Sequence, residues 1–322
     1  MLPQEALDIW NADKPLFVRD YVEKVSALPA EQQAAVYWVA GLIKHFAEKP
    51  QKLDAALWNY EQGFAAAHEV GDYASAAQNL AAIGCVHRVY GTKAASPEGT
   101  ALDYAQARIT LNKAMELARE AGYTKGWMDA AGQLSLMMSP AEKYAFNGER
   151  LPVARELMPD SGALVDLIHT QAVAAVELAD LSQNSLKILD TLLETHKDFP
   201  NQEDLCAPLR EASASFKTQI TLFYEEAETL FKESFALTET LPETEDPEYK
   251  RICNYIRYGE FLEKQNNPEA WNYLQNAVEM AHGYRDGTGN ADAITQAERS
   301  RDAYLERHPE IATTLLPSTQ NT

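Results

Sequence analysis

Two carboxylate–histidine pairs are the first residues whose spacing could do chemistry: Asp166 with His169, and Glu279 with His282. Three residues apart on a helix, both side chains of a pair share one face, as in di-iron carboxylate bundles. Such a centre needs two Glu-x-x-His pairs and a further Glu from each of two other helices. Here one pair carries Asp, and His282 falls where a helix should end, a place where the dipole favours a protonated imidazole without any metal. Cys85 and His87, two apart, point about 200° from each other and do not form a nucleophile–base pair. Beside Gly84, Cys85 reads as a small packing residue. There is no G-x-x-x-x-G-K-[ST] and no H-E-x-x-H. Asp286-Gly287-Thr288-Gly289 is glycine-rich but has neither a lysine nor a preceding strand, and reads as a turn. The sequence therefore predicts no enzyme, no metal and no cofactor. Glu279 and His282 keep a helical-bundle metalloenzyme as an alternative.

Charge narrows the partners. Of 322 residues, 46% are apolar and 24% charged, and 28 basic residues against 48 acidic ones give a net charge of −20. Phosphate backbones and anionic membranes are repelled by such a surface. Twelve acids against four bases fall within 201–250, which would suit a basic partner. The three cysteines show no C-x-x-C spacing, which argues against a disulfide framework or a zinc cluster. The longest apolar stretch, Ala34 to Ile43, is far below the ~20 residues of a bilayer span. No basic start with an apolar block opens the chain, so a cytoplasmic protein is expected.

The elements that must position any site are helices. Apolar residues recur at steps of three and four nearly everywhere, and no five-residue alternation suggests a strand. The periodicity predicts helices over 5–11, 15–27, 30–47, 51–70, 73–90, 101–121, 124–138, 140–146, 151–157, 162–181, 185–197, 205–238, 247–265, 268–282 and 290–307. Gly71, Gly91, Gly122 and Gly283 follow periodic runs, as left-handed caps do. Ser139-Pro140-Ala141-Glu142 reads as a capping box, and Asp246-Pro247-Glu248 and Asn267-Pro268-Glu269 as cap–proline–acid starts. Phe216, Ile220, Phe223, Ala227 and Leu230 form a seam for another long helix, widened by Phe231 and Phe235. Loops are expected around Thr92–Gly99 and over 239–247, with a frayed tail over 308–322.

A weak self-similarity links the helices in pairs. Trp38-Val39-Ala40-Gly41 opens one pair, closed by Ala56, Tyr60 and Gly63. Leu80 through Gly84 and His87 opens the next, closed by Ala107, Leu111 and Ala114. Trp127 through Gly132 opens a third, and Tyr258-Gly259 with Leu262 a last one, closed by Ala270, Leu274 and Ala277. This pattern resembles a divergent tetratricopeptide repeat, whose small residues let helices approach while large ones fill the gap. It covers about 30–138 and 247–283, with longer periods than the family's 34: Gly41 to Gly84 is 43 residues and Gly84 to Gly132 is 48. The segment 140–238 matches no repeat.

The resemblance implies an all-α, right-handed helical-hairpin solenoid. It would comprise an N-terminal helical cap over 1–28, the array over 29–283, irregular in 140–240, a capping helix over 284–307 and the tail. It further implies a concave face lined by the first helix of each pair, with Trp38, His45, Gln78, Cys85, Arg88, Asp129 and Gln133 facing it. The five tryptophans otherwise read as core. The expected function is a protein-interaction adaptor or scaffold that binds a protein or peptide. A ligand- or peptide-responsive helical regulator is the alternative.

Overall fold

A computed structural model describes residues 3–47, 50–196, 202–284 and 291–311. The glycine-rich turn expected at Asp286–Gly289 and most of the expected tail lie outside them. Among the described residues there are thirteen α-helices and no strand, so the chain is all-α. It divides into two compact units, 1–138 and 139–322. That division falls within the stretch the repeat pattern reads as one array.

The first unit holds α1 (Pro3–Ala12), α2 (Lys14–Asp20), a 3₁₀ segment (Val22–Ala27), α3 (Ala30–Leu42) running into a π-helical turn (Ile43–Ala47), α4 (Leu53–Glu69), α5 (Tyr73–Lys93), α6 (Pro97–Glu120) and α7 (Thr124–Ser135). Asp13, Asp72 and Ser96 cap the helices that follow them by accepting backbone N–H bonds. Gly71 and Gly122 adopt the left-handed conformation at the ends of α4 and α6. Gly91 does not cap. It lies inside α5, where a Cβ would stand 2.4 Å from the Tyr104 ring, so its role is close packing. The expected loop at Thr92–Gly99 shrinks to three residues, because Ser96 and Pro97 start α6 early.

Helices pack in consecutive antiparallel pairs, and the expected small–large contacts hold them. A Cβ on Gly41 would meet the Tyr60 ring at 2.3 Å, and one on Gly84 would meet Leu111 Cγ at 2.6 Å. Tyr60 and Leu111 are fully buried, each worth about 1.5–3 kcal/mol by transfer from water. Gly132 is different, since a Cβ there meets nothing within 4 Å. First helices lie parallel in a constant register. Asn79 Nδ2 donates to Ala34 O (3.3 Å), Tyr123 Oη to Gln78 Oε1 (3.0 Å) and Arg88 Nε to Gln133 Oε1 (3.2 Å), each across 45 residues.

The second unit holds α8 (Pro140–Leu157), α9 (Gly162–Thr195), α10 (Gln202–Thr240), a 3₁₀ turn (Glu243–Glu245), α11 (Pro247–Lys264), α12 (Ala270–Gly283) and α13 (Ala291–Arg307). The capping box at Ser139 forms with both of its hydrogen bonds. Helices expected as 140–146 and 151–157 fuse into α8, with Pro152 inside it. Those expected as 162–181 and 185–197 fuse into α9. Gly283 ends α12 without a left-handed φ, and α12 itself starts at Ala270, after the Asn267-Pro268-Glu269 turn. Gly259 repeats the small–large device, where a Cβ would meet Leu274 at 2.8 Å.

In this unit α9 and α10 are antiparallel, Tyr224 bonding Asp180 and Ser213 bonding Asp190. Of the expected seam, Ala227 and Leu230 are buried and Phe223 stands edge-on to Tyr144 of α8, while Phe231 and Phe235 meet Tyr258 and Phe261 of α11 in tilted and edge-on pairs at 5.5–5.7 Å. α9 and α11 are parallel, joined by His169–Asn254 across 85 residues and Lys250–Asp166 across 84. That exceeds the 45-residue register of the first unit by about 40 residues, which go into lengthening α9 and α10. The α9 helix is long and apolar enough to cross a membrane. However, 61% of that window is buried inside the protein, as in the central helix of a packed core.

These contacts set a matched pair of substitutions. Gly84→Val should cost about 1–3 kcal/mol by overpacking against Leu111. Gly132→Ala should stabilise by up to about 1 kcal/mol, the propensity gain of an unobstructed helical position. Urea denaturation followed by circular dichroism measures both, and a shift of the same sign in the two variants would contradict the packing described.

Candidate functional site

The α5–α7 face gathers four of the expected residues. Gln78 and Arg88 lie one end apart on α5, and Asp129 and Gln133 on α7. Tyr123 donates to Gln78, Arg88 donates to Gln133, and Arg88 Nη2 stands 3.9 Å from Cys85 Sγ. Gln78, Arg88 and Gln133 are half-buried and Asp129 is exposed. The face is thus polar, cross-braced by side chains from two parallel helices, and open to solvent.

Trp38 and His45 do not join it. Trp38 is 8% exposed and His45 1%, both interior. Residues of α1, α2 and the 3₁₀ segment, including Ala6, Phe17 and Val25, pack into the same cluster as Trp38 and cover the side of α3 that a groove would need. The wide turn at Ile43–Ala47 swings the His45 ring inward, stacked on Phe46 with 3.9 Å between centroids and edge-on to Tyr60. His45 Nε2 and Tyr60 Oη are buried without hydrogen-bond partners. Trp58 is the tryptophan that stands out from the surface, at 53% exposure, edge-on to Tyr37.

The residues singled out for chemistry are dispersed. Asp166 turns out to Lys250 (2.7 Å), while His169 turns in, its Nδ1 2.6 Å from Asn254 Oδ1. Ser234 Oγ donates to the same oxygen, so three helices meet at one buried amide. Sequence reading missed Asn254 and Ser234, which carry no motif and become visible only when α9, α10 and α11 converge. Glu279 accepts from Gln275, and His282 stands 3.0 Å from Glu298 of α13. Burial raises the Cys85 and Cys253 thiols above their ordinary range, which makes them poor nucleophiles. Among the described residues no three His, Cys, Asp or Glu side chains stand where they could hold a metal.

A second concave feature lies in the other unit, a cleft of 820 Å³ between the parallel helices α11 and α13. Arg257, Lys264, Arg299 and Arg307 line it against Glu260 and Glu263, a cationic balance in a chain of net charge −20. Both acids bridge within the walls. Glu263 accepts a two-pronged bond from Arg307 (2.7 Å each) and faces His308 at 3.2 Å, while Glu260 accepts from Arg257 and Ser300. Arg299 is exposed in the cleft. The one sequence signal for this site is the spacing of bases on one face of each helix, and the acidic total hides it.

No family model matches the chain, and no curated protein matches its sequence.

Burial gives the interior histidines a pH signature. Desolvation holds His45 at about 4 instead of 6.5, with Arg88 and Lys93 pushing the same way. His169 and His87 are also lowered by burial. The unfolded chain takes up these protons below about 6.5 while the folded chain resists until lower pH, so stability is full above 6.5 and falls as pH drops toward 4. The urea midpoint should decline between pH 7 and pH 5, and His45→Phe should flatten that decline. An identical slope in the variant would place His45 in a hydrated setting.

Proposed function

We propose that the chain is a non-enzymatic, cytoplasmic helical-repeat protein of tetratricopeptide-like, right-handed design that binds another protein or peptide. The observation that carries this reading is the constant 45-residue register of α3, α5 and α7. Three parallel first helices, each backed by its own antiparallel partner where one follows in the unit, form the unit from which interaction arrays are built. Small–large contacts at Gly41, Gly84 and Gly259 sit where the repeat resemblance puts them.

The binding surface proposed is the α5–α7 face with Gln78, Arg88, Asp129 and Gln133. Trp38 and His45 are withdrawn from it, being interior. No named group on this face is a nucleophile, and each can donate or accept hydrogen bonds to a peptide backbone or side chain.

A second reading, response to a small ligand, is favoured by the α11–α13 cleft alone. Its exposed Arg299 offers a forked donor to a carboxylate or phosphate group, beside the guanidinium groups of Arg257 and Arg307 that Glu260 and Glu263 already engage.

Affinity capture from native lysate with the full chain tests the first reading. Proteins retained by the wild type should be lost by the Arg88→Ala/Asp129→Ala variant at an unchanged melting temperature. Equal retention by both would remove this face from consideration. Calorimetric titration with citrate and with inorganic phosphate tests the second, and Arg299→Ala should abolish any heat that the wild type shows.

A further inference from the structure

The cleft between α11 and α13 has two like ends. Glu260 accepts from Ser300, which sets Arg299 level with Arg257, whose own guanidinium reaches the same carboxylate. Glu263 accepts from Arg307, and Lys264 follows it on α11. A side-chain amide closes each end, Gln296 one turn before the first and Asn266 just past the second. From Arg257 to Lys264 and from Arg299 to Arg307 the helices rise about 10 and 12 Å. The cationic heads come closer than that, because Arg307 reaches back to Glu263. Ala303 lies between the ends and puts a methyl group on the wall. The bases rim the mouth and the acids lie deeper: 56% of the Arg307 side chain is exposed and 41% of Arg257 and of Lys264, against 29% of Glu260 and 12% of Glu263. Pairing does not exhaust the guanidinium groups. Arg307 gives Nε and Nη2 to Glu263 and keeps Nη1, Arg257 gives only Nη1, and Arg299 has no partner among the described residues.

Granting that this cleft takes a small ligand, as the second reading above has it, we propose that the ligand is an elongated dicarboxylate, one carboxylate held at Arg257 and Arg299 and the other at Arg307 and Lys264. A forked guanidinium matches the two oxygens of a carboxylate. Charge chooses carboxylate over phosphate. Each end sets two bases against one lining acid, and Asp180 takes a share of Lys264 from outside the lining. What remains suits a singly charged group. A doubly charged phosphate beside Glu260 and Glu263, in a chain of net charge −20, is worse matched. Separation chooses length. A compact anion such as malonate reaches one end only, whereas a chain of several methylenes reaches both and lays its apolar middle against Ala303. The second carboxylate then binds without a second loss of translational freedom. The volume of 820 Å³ falls within the range of small-molecule sites, about 300–1,000 Å³. Glu260 and Glu263 act as positioning residues, holding Arg257 and Arg307 at the mouth before the ligand arrives.

Calorimetric titration of the full chain with malonate, succinate, adipate and suberate reads the span. Adipate or suberate should bind about tenfold more tightly than malonate and than inorganic phosphate. Hexanoate, which has the alkyl chain but one carboxylate, should bind about tenfold less tightly than adipate. Arg299→Ala should bring adipate down to the wild type's affinity for malonate, at an unchanged circular dichroism spectrum. Affinity independent of length overturns the dicarboxylate and leaves a simple anion site. So does hexanoate as tight as adipate, or adipate binding indifferent to Arg299→Ala. Heat from none of these compounds, citrate and phosphate included, overturns it as well and removes the small-ligand reading with it.

Discussion

The fold depends on the places where a helix lacks a side chain so that a bulky one opposite can lie flat against its backbone. Gly41 receives Tyr60, Gly84 receives Leu111, Gly91 receives Tyr104 and Gly259 receives Leu274. Each contact does two things. It lets two helices approach within a pair, and by fixing which residues are level it sets how far the chain travels before the next first helix. The hydrogen bonds across 45 residues in the first unit follow from that spacing. A bulkier residue at Gly84 would alter both the pair and the alignment of α5 with α7, where Arg88 meets Gln133.

Much of this was legible in the sequence because periodicity and small–large pairing are local signals. The pairs closed by Tyr60, Leu111 and Leu274 were readable from residue types alone, and so was the buried part of the α10 seam at Ala227 and Leu230. What escaped were features decided by distant segments. Gly91 looks like a helix stop until Tyr104 is seen against it. Trp38 and His45 sit at groove positions by register, yet the N-terminal helices occupy that side of α3, and no pattern within 30–47 announces it. The α9–α10 pair matched no repeat because its extra length displaces the motif.

Buried polar groups mark where the packing is most particular. Asn254 accepts from Ser234 and meets His169, so α9, α10 and α11 share one hydrogen-bonded point within an aromatic cluster. A slip of α11 by a residue would break both bonds, and a slip of α9 or α10 would break its own, so each of the three helices has its register tied to this point. His45 and Tyr60 play no such part. They are polar atoms enclosed by apolar neighbours, and the His45 imidazole, kept neutral by burial, is the one whose protonation on acidification opposes the fold of the first unit.

The attachment of α13 has a consequence of another kind. Its link to α11 runs through Glu263 with Arg307 and His308, and Glu260 with Ser300, beside the apolar contacts of Ala293, Ile294, Ala297 and Tyr304. Coulombic fastenings at a partly wetted seam weaken with electrolyte, whereas the glycine-notched pairs do not. The grip of α13 on α11 therefore follows ionic strength more closely than that of the glycine-notched pairs does.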